Sequence, residues 1–134
     1  MIKFEILGQP IAKARPMMTK AGVAYTPAKT VNYESLVRYT YQSIYGKQEP
    51  LSGRIEAHVT AIFPIPKSYS KKKTAELLQG HCNYDKKPDC DNLAKSVLDA
   101  LNGIAYNDDS QITSLHVVKE YGTQPKVILQ LKEL

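Results

Sequence analysis

Four acidic side chains and one lysine lie close together in the C-terminal part of the chain. Asp89 and Asp91 are separated by one residue, and Lys95 follows one helical turn later. Asp108 and Asp109 form a second acidic pair further on. Carboxylate oxygens are ligands that Mg²⁺ prefers, and the bound ion can activate water and neutralise phosphate charge. A nearby lysine can stabilise the charge that develops during phosphoryl transfer. These residue types therefore point to metal-dependent chemistry on phosphodiesters.

One helix is predicted to position part of this set. The spacing predicts a helix over residues 91–102, with leucine, alanine and valine side chains recurring on one face. At about 100° per residue, Asp91, Lys95 and Asp99 project from the opposite face. We interpret Asp99 as a structural partner of Lys95 rather than as a metal ligand.

The residues just before this helix carry the rest of the first acidic group. In extended backbone, Asp89 and Asp91 point to one side, and Cys90 between them points toward the core. A purely structural interpretation stays open, because Asp91 is also a good helix N-cap and Lys95 can pair with acids one turn away. The acidic pair 108–109 is likewise typical of a turn. Spacing alone does not decide between the two interpretations.

The charge of the chain is unevenly distributed. The net charge is +5, with 14 basic and 6 acidic side chains in residues 1–88 against 4 and 7 in residues 89–134. A basic body around a local acidic cluster suits a polyanionic partner and a metal site, although a basic protein without such a partner can have the same composition. The candidates for phosphate contact are Lys13, Arg15, Lys71, Lys72, Lys86 and Lys87.

The remaining patterns predict an α+β fold, with a mixed β-sheet and helices packed on it. The expected order is β-α-β-α-α-β-β, and residues 9–29 are expected to form a loop or irregular hairpin. The predicted elements are a strand at 2–7, a helix from the Thr26 cap to Gly46, a strand at 54–63, a helix from the Ser70 cap to Gly80, the helix at 91–102, and strands at 112–121 and 126–131 paired as a hairpin.

Length and composition favour one domain covering residues 1–134. No apolar run of about 18 residues and no signal-peptide pattern is present, so a cytoplasmic protein with reduced cysteines is expected. No zinc-ligand spacing or glycine-rich phosphate loop occurs, and neither a membrane nor a small-molecule substrate is expected. His58 and His116 fall in strand patterns and are interpreted as structural, whereas the role of His81 stays open.

Two linked blocks around the acids carry a family resemblance. Residues 87–101 contain the pattern D-x-D-N-x-x-K followed by D-A-L, and residues 107–112 contain D-D-x-Q-I. With these blocks the chain resembles the RusA family of Holliday junction resolvases. The likeness extends more loosely to residues 8–10, 13–16 and 25–27, and so covers most of the chain.

The resemblance implies a RusA-like homodimer that acts as an endodeoxyribonuclease on four-way DNA junctions in recombination and repair. It implies dependence on Mg²⁺, with Mn²⁺ as a possible substitute. Asp89, Asp91 and Asp109 match the metal-binding catalytic acids, and Lys95 matches the catalytic lysine. Two other functions remain open: a less selective branched-DNA nuclease of phage origin, and a junction-binding protein that does not cut.

Overall fold

The computed structural model describes residues 1–46, 48–79 and 83–134. It confirms the predicted order of helices and strands. In chain order the elements are β1 (Ile2–Leu7), β2 (Met17–Met18), β3 (Ala24–Tyr25), α1 (Ala28–Tyr45), β4 (Ile55–Pro64), α2 (Lys71–Leu78), α3 (Cys90–Leu98), 3₁₀ segments at Asp99–Leu101 and Asp109–Gln111, β5 (Ile112–Gly122) and β6 (Lys126–Glu133).

Four strands form the main sheet in the order β1-β6-β4-β5. β4 pairs antiparallel with β6 and parallel with β5, so the predicted mixed sheet is confirmed. The short strands β2 and β3 pair with each other, which confirms the irregular hairpin in the N-terminal loop.

The predicted hairpin of β5 and β6 is wrong, because β4 lies between these two strands. Residues 123–125 connect them across the end of β4, where Gly122 pairs with Pro64. Burial explains the order. Every second side chain of β4 is fully buried, as suits a central strand, whereas β5 has no fully buried side chain and lies at the edge. Local sequence signals the turn at 123–125 but not which strand it passes.

One face of the sheet carries the hydrophobic core. The alternate positions of β4 from Ile55 to Phe63 are buried on this face, together with residues of β1 and β6. Full burial of the larger of these side chains, such as isoleucine, valine and phenylalanine, contributes roughly 1.5–3 kcal/mol each. The helix residues buried in the same core include Tyr33, Val37, Tyr41, Leu93, Val97 and Leu98.

The helix boundaries follow the predicted caps with small shifts. Helix α1 begins one residue later than expected, with Pro27 rather than Thr26 at the cap. It ends at Gly46, whose φ of +56° favours glycine. The Ser70 Oγ accepts a hydrogen bond from the Lys73 N–H at 3.1 Å, which confirms the predicted cap of α2. Gly80, the predicted end of that helix, lies outside the described residues. No helix among those described is long and apolar enough to cross a membrane.

Candidate active site

Asp89 and Asp91 lie at the start of α3. Asp89 is in the N-cap position, with an extended φ of −71° and ψ of 154°, and its carboxylate makes no capping hydrogen bond. Cys90 is exposed, so the expectation that it points into the core is wrong. The helix already begins at Cys90, so the alternation of an extended chain ends at Asp89. Both carboxylates are exposed at this end of the helix.

A cavity of about 280 Å³ brings the next charged residues together. Asp91 and Lys95 come from the first and second turns of α3, and Asp99 from the 3₁₀ segment that follows. Asp109 enters from the second acidic block. The apolar part of the lining consists of Ala94, Leu98, Ile112 and Leu115. The predicted polar face of the helix thus meets the second acidic block in one concave site, while Asp89 lies outside the lining.

Asp108 and Asp109 have different roles in the structure. The Asp108 carboxylate accepts a hydrogen bond from the Ser110 N–H at 3.0 Å and caps the 3₁₀ segment Asp109–Gln111. The Asp109 N–H donates to Asn102 Oδ1 at 2.8 Å, which fixes the backbone at the start of that segment. Asp108 therefore acts in local structure, whereas the side chain of Asp109 reaches the cavity.

Gln111 holds this segment against the rest of the fold. Its Oε1 accepts from the Asp108 N–H at 2.9 Å. Its Nε2 donates to the carbonyl oxygens of Leu51 at 2.8 Å and Gly53 at 2.9 Å, in the turn before β4. The motif spacing alone indicates no role for Gln111, although the second motif block contains it.

The electrostatics of the two acids differ accordingly. Partial burial is the main cause that raises the pKa of the Asp109 carboxyl, followed by its hydrogen-bonding contact with Asp99 and by repulsion from Asp108 and Asp99. Hydrogen bonds from the side chain and backbone of Ser110 lower the pKa of Asp108. A carboxyl crowded by like charges is a group that a bound cation stabilises.

Asp99 pairs with Lys13 rather than with Lys95, so the interpretation of Asp99 as a partner of Lys95 is wrong. The Lys13 Nζ lies 2.9 Å from Asp99 Oδ2 and 3.7 Å from Glu34 Oε1. The hydrogen bond with Asp99 is the main cause that raises the pKa of Lys13. The Lys13 N–H also donates to the Asn92 carbonyl at 3.1 Å, which docks the N-terminal loop on α3.

Asp89 and the acids of the cavity do not form a compact trio of ligands. In residues 1–46, 48–79 and 83–134, no three of Asp89, Asp91, Asp99 and Asp109 have ligand oxygens that all lie within 4.8 Å of one another. Lys95 forms no ion pair within 4.0 Å among the described residues, which leaves its ammonium group available at the cavity.

The sequence of the chain matches that of a known nuclease family. A model described as "Endodeoxyribonuclease RusA" matches residues 8–132, nearly the whole chain. The chain belongs to the RusA endodeoxyribonuclease family. A Bacillus subtilis (strain 168) protein described as "Uncharacterized protein YqaN" is 35% identical over 138 residues, which cover 99% of this chain and 96% of the relative. The RusA resemblance seen in the motifs is thereby confirmed, and membership implies endodeoxyribonuclease activity.

In this RusA-family chain, a basic connector leads directly into the acidic site. The Lys119 Nζ donates to the carbonyl oxygens of Lys86 at 2.7 Å and Pro88 at 3.0 Å. The Tyr84 hydroxyl donates to the Lys87 carbonyl at 3.1 Å. These bonds fix the backbone while the side chains of Lys86 and Lys87 stay largely in solvent. Lys119 was missed from sequence, because its spacing on β5 does not reveal its contact with residues 86–88.

A second basic group surrounds Tyr69. The Lys86 Nζ donates to the Tyr69 hydroxyl at 3.2 Å, and the Lys73 Nζ lies 4.1 Å from the centre of the ring. The hydrogen bond from Lys86 is the main cause that lowers the pKa of Tyr69. Lys71 and Lys72 are exposed in the first turn of α2, and Arg15 is exposed in the N-terminal loop. His81 lies outside the described residues.

Proposed function

We propose that this chain is a Mg²⁺-dependent endodeoxyribonuclease that resolves four-way DNA junctions by paired phosphodiester hydrolysis in recombination and repair. The observation that carries the proposal is the cavity shared by Asp91, Lys95 and Asp109, in a chain of the RusA family. A DNA-processing role agrees with a cytoplasmic location, which is part of the same proposal.

The donor set of the site fits Mg²⁺. Its side chains supply oxygen ligands without imidazole or thiolate, apart from the solvent-facing Cys90, and a hard cation prefers such ligands. Partial burial, and after it the neighbouring carboxylates of Asp99 and Asp108, raise the pKa of Asp109, so a negative charge on this side chain is unfavourable without a cation. We assign Asp89, Asp91 and Asp109 as the residues that would hold the ion, with Mn²⁺ as a substitute. When bound, Mg²⁺ would activate water and offset charge on the phosphate.

The other charged and polar residues at the site have separate proposed roles. Lys95 faces the same cavity with no carboxylate partner within 4.0 Å among the described residues, so it is available to stabilise the negative charge that develops on the phosphoryl oxygens in the transition state. Lys13 forms an ion pair with Asp99 and thereby holds the N-terminal loop beside the cavity. The carboxylates orient the attacking water, and Asn102 holds Asp109 at its position through the backbone.

The basic residues would hold the DNA backbone. Lys86 and Lys87 are separated from Asp89 only by Pro88, so phosphates bound to them would lie near the acids. Arg15, Lys71 and Lys72 extend this positive surface. Lys13 retains a proposed place at the DNA interface, although its ammonium group is already paired with Asp99. Such contacts position the substrate without selecting its base sequence.

We further propose that the protein acts as a homodimer. A four-way junction has two-fold symmetry and needs two matched incisions, and a two-fold dimer supplies two matched sites. Sedimentation equilibrium should give twice the 15.0 kDa chain mass at micromolar concentration. A monomer that remains one in the presence of junction DNA would contradict this part of the proposal.

A substrate panel tests the function. Labelled four-way junction, flap and linear duplex DNA would each be incubated with the protein, with and without Mg²⁺. We expect paired symmetrical cuts in the junction, only with the metal, and little cutting of linear duplex. Similar cutting of flaps and junctions would favour the less selective nuclease. Binding without cutting under any metal condition would favour the junction-binding protein and contradict the proposal.

A further inference from the structure

A second group of ligand-type side chains lies on the sheet, away from the acids of α3. His58 on β4 and His116 on the edge strand β5 are direct partners in the parallel register. Their rings stack with centroids 4.5 Å apart and planes 5° from parallel. Glu56 lies two residues before His58 and therefore on the same side of the strand. The three side chains form one compact patch.

This patch is open to solvent on the sheet face opposite the core. The side chains of Glu56, His58 and His116 are 31%, 42% and 55% exposed. Glu56 Oε2 lies 3.4 Å from His58 Nε2, and Glu56 Oε1 lies 4.0 Å from His116 Nε2. The carboxylate therefore faces both imidazoles. In the described part of the chain, this is the one trio of histidine, cysteine or acidic residues whose ligand atoms all lie within 4.8 Å of one another.

We propose that Glu56, His58 and His116 form a second metal site, which takes Zn²⁺ or a similar transition metal rather than Mg²⁺. Two imidazoles and one carboxylate, with water in the fourth position, are a common ligand set for zinc. Imidazole nitrogen suits Zn²⁺, Ni²⁺ and Cu²⁺, whereas Mg²⁺ demands oxygen. The ligand chemistry thus separates this site from the all-oxygen site at α3. It also revises the interpretation of His58 and His116 as purely structural residues.

The distances agree with this ligand set. Metal–ligand bonds of about 2.0–2.1 Å in a tetrahedral site place neighbouring ligand atoms roughly 3.3–3.5 Å apart. Glu56 Oε2 and His58 Nε2 already lie at this distance, whereas His116 Nε2 lies 4.0 Å from the other oxygen, Oε1, so the carboxylate would bind with both oxygens or rotate. The parallel rings must tilt toward a shared ion, and their exposure leaves room for that movement.

A metal ion at this position would crosslink β5 to β4 through His116 and His58. β5 lies at the edge of the sheet and pairs with β4 alone among the described strands. It begins at Ile112, directly after the 3₁₀ segment that carries Asp109. The only competing contact of His116 Nε2 on the same strand is the Ser114 hydroxyl at 3.4 Å, a weak one at that distance. Zinc should therefore stabilise the fold without being required for DNA cleavage.

Calorimetric titration with Zn²⁺ tests the site. It would use the Asp91→Asn/Asp109→Asn protein, so that the acids of α3 bind little metal. We expect about one equivalent of Zn²⁺ with micromolar or tighter affinity, and a rise in melting temperature of roughly 5–10 °C at a hundredfold excess over Kd. Added to the same background, His58→Gln/His116→Gln should remove both effects. The exposed positions of the two histidines favour normal folding, which circular dichroism would verify.

Matched controls complete the test. His81→Gln/Cys82→Ser and Cys90→Ser, each in the same background, remove the remaining histidine and both cysteines and should keep the full equivalent of bound Zn²⁺. Co²⁺ should give visible absorption bands of a nitrogen- and oxygen-ligated ion, and these bands should vanish with His58→Gln/His116→Gln. If Zn²⁺ binding survives the double histidine substitution, or is lost in either control instead, the site is not where we place it. If no zinc binds the background protein at 100 μM, the proposal is equally overturned.

Discussion

At the scale of single residues, the pair Asp108-Asp109 shows how neighbours with the same side chain acquire different roles. Hydrogen bonds from the side chain and then the backbone of Ser110, in the 3₁₀ segment that Asp108 caps, lower the pKa of Asp108. Asp109 lines the cavity with Asp91, Lys95 and Asp99, and its pKa is raised. Chemistry in the cavity should therefore depend on the second member of the pair.

Substitution of each acid tests this division. Asp109→Asn should reduce Mg²⁺-dependent junction cleavage by about a hundredfold or more, because it removes a charged group that acts in the transition state. Asp108→Asn is the matched control, since asparagine also caps helical segments. Its cleavage rate should stay within a few-fold of the parent. The rates would be measured under single-turnover conditions, and equal losses for the two variants would refute the division.

The raised pKa of Asp109 has a consequence for stability. Its ordinary value is 3.8, and folding favours the protonated form. This stabilisation is present below pH 3.8 and is lost as the pH rises through the higher folded-state pKa. Asparagine resembles the protonated acid, so in EDTA Asp109→Asn should be more stable than the parent at pH 7 but not at pH 3.5.

Thermal melts of both proteins across this pH range measure the difference. A variant that is no more stable than the parent at pH 7 would show that ionising the partly buried Asp109 beside Asp99 and Asp108 is not costly. Adding Mg²⁺ at pH 7 should stabilise the parent more than Asp109→Asn, because the ion relieves repulsion that the variant lacks.

The sequence predicted which of these residues lie together only where they are close to one another along the chain. The helical spacing of Asp91 and Lys95 predicted that they share a face, and both line the cavity. The partner of Asp99 could not be found in this way, because Lys13 is 86 residues away in the chain. No local periodicity indicates which loop docks on a helix.

At the scale of elements, the 3₁₀ segment Asp109–Gln111 depends on contacts beyond itself. Gln111 joins the N-terminus of the segment to the turn before β4 through three hydrogen bonds. A segment this short makes few internal hydrogen bonds, so these contacts determine where Asp109 lies. Gln111 does not line the cavity, yet its substitution should therefore affect both the stability of the fold and the rate of cleavage.

Gln111→Ala should lower the free energy of unfolding by about 1–3 kcal/mol, because it leaves partly buried carbonyl groups unpaired. Cleavage should also fall, since Asp109 loses its support. Gln124→Ala, in the exposed connection between β5 and β6, is the control and should change neither property. Urea denaturation and junction cleavage are the two measurements. Unchanged cleavage by a destabilised Gln111→Ala protein would exclude the positioning role.

The strand order illustrates the limit of element-level prediction. The bounds of β4, β5 and β6 followed from alternation and turn residues. Their pairing did not, because β4 is inserted between two strands that are consecutive in the chain. Adjacent strands with a short connection favour a hairpin by default. Only the burial of β4 on one face and its pairing at both edges reveal that it is central.

At the scale of the whole molecule, the basic residues and the acids of the cavity come from different parts of the sequence, and the fold connects them. Residues 1–88 supply the positive charge, and the connector at 86–88 leads into the acids. Lys119 fixes this connector from β5, and Lys13 fixes the N-terminal loop on α3. The uneven charge of the chain predicted this arrangement in outline, whereas the two fixing contacts required the fold.

Junction binding at varied salt measures the contribution of the connector. Lys86→Gln/Lys87→Gln should weaken binding to every DNA sequence alike and reduce the slope of log K against log salt by up to about 2, one for each lost phosphate contact. Lys132→Gln, an exposed lysine near the end of β6, is the control and should leave the slope unchanged. An unaltered slope in the double variant would remove these two lysines from the interface.

Cleavage of a labelled four-way junction by Asp91→Asn tests the central claim most directly. The variant loses one carboxylate beside the phosphate, so it should bind the junction as tightly as the parent or more tightly. In Mg²⁺ it should cut at least about a hundredfold more slowly. Parent protein should make paired cuts in Mg²⁺ and none in EDTA. Cleavage by Asp91→Asn at the parent rate, or by the parent in EDTA, would contradict the assignment of the cavity as a metal-dependent nuclease site.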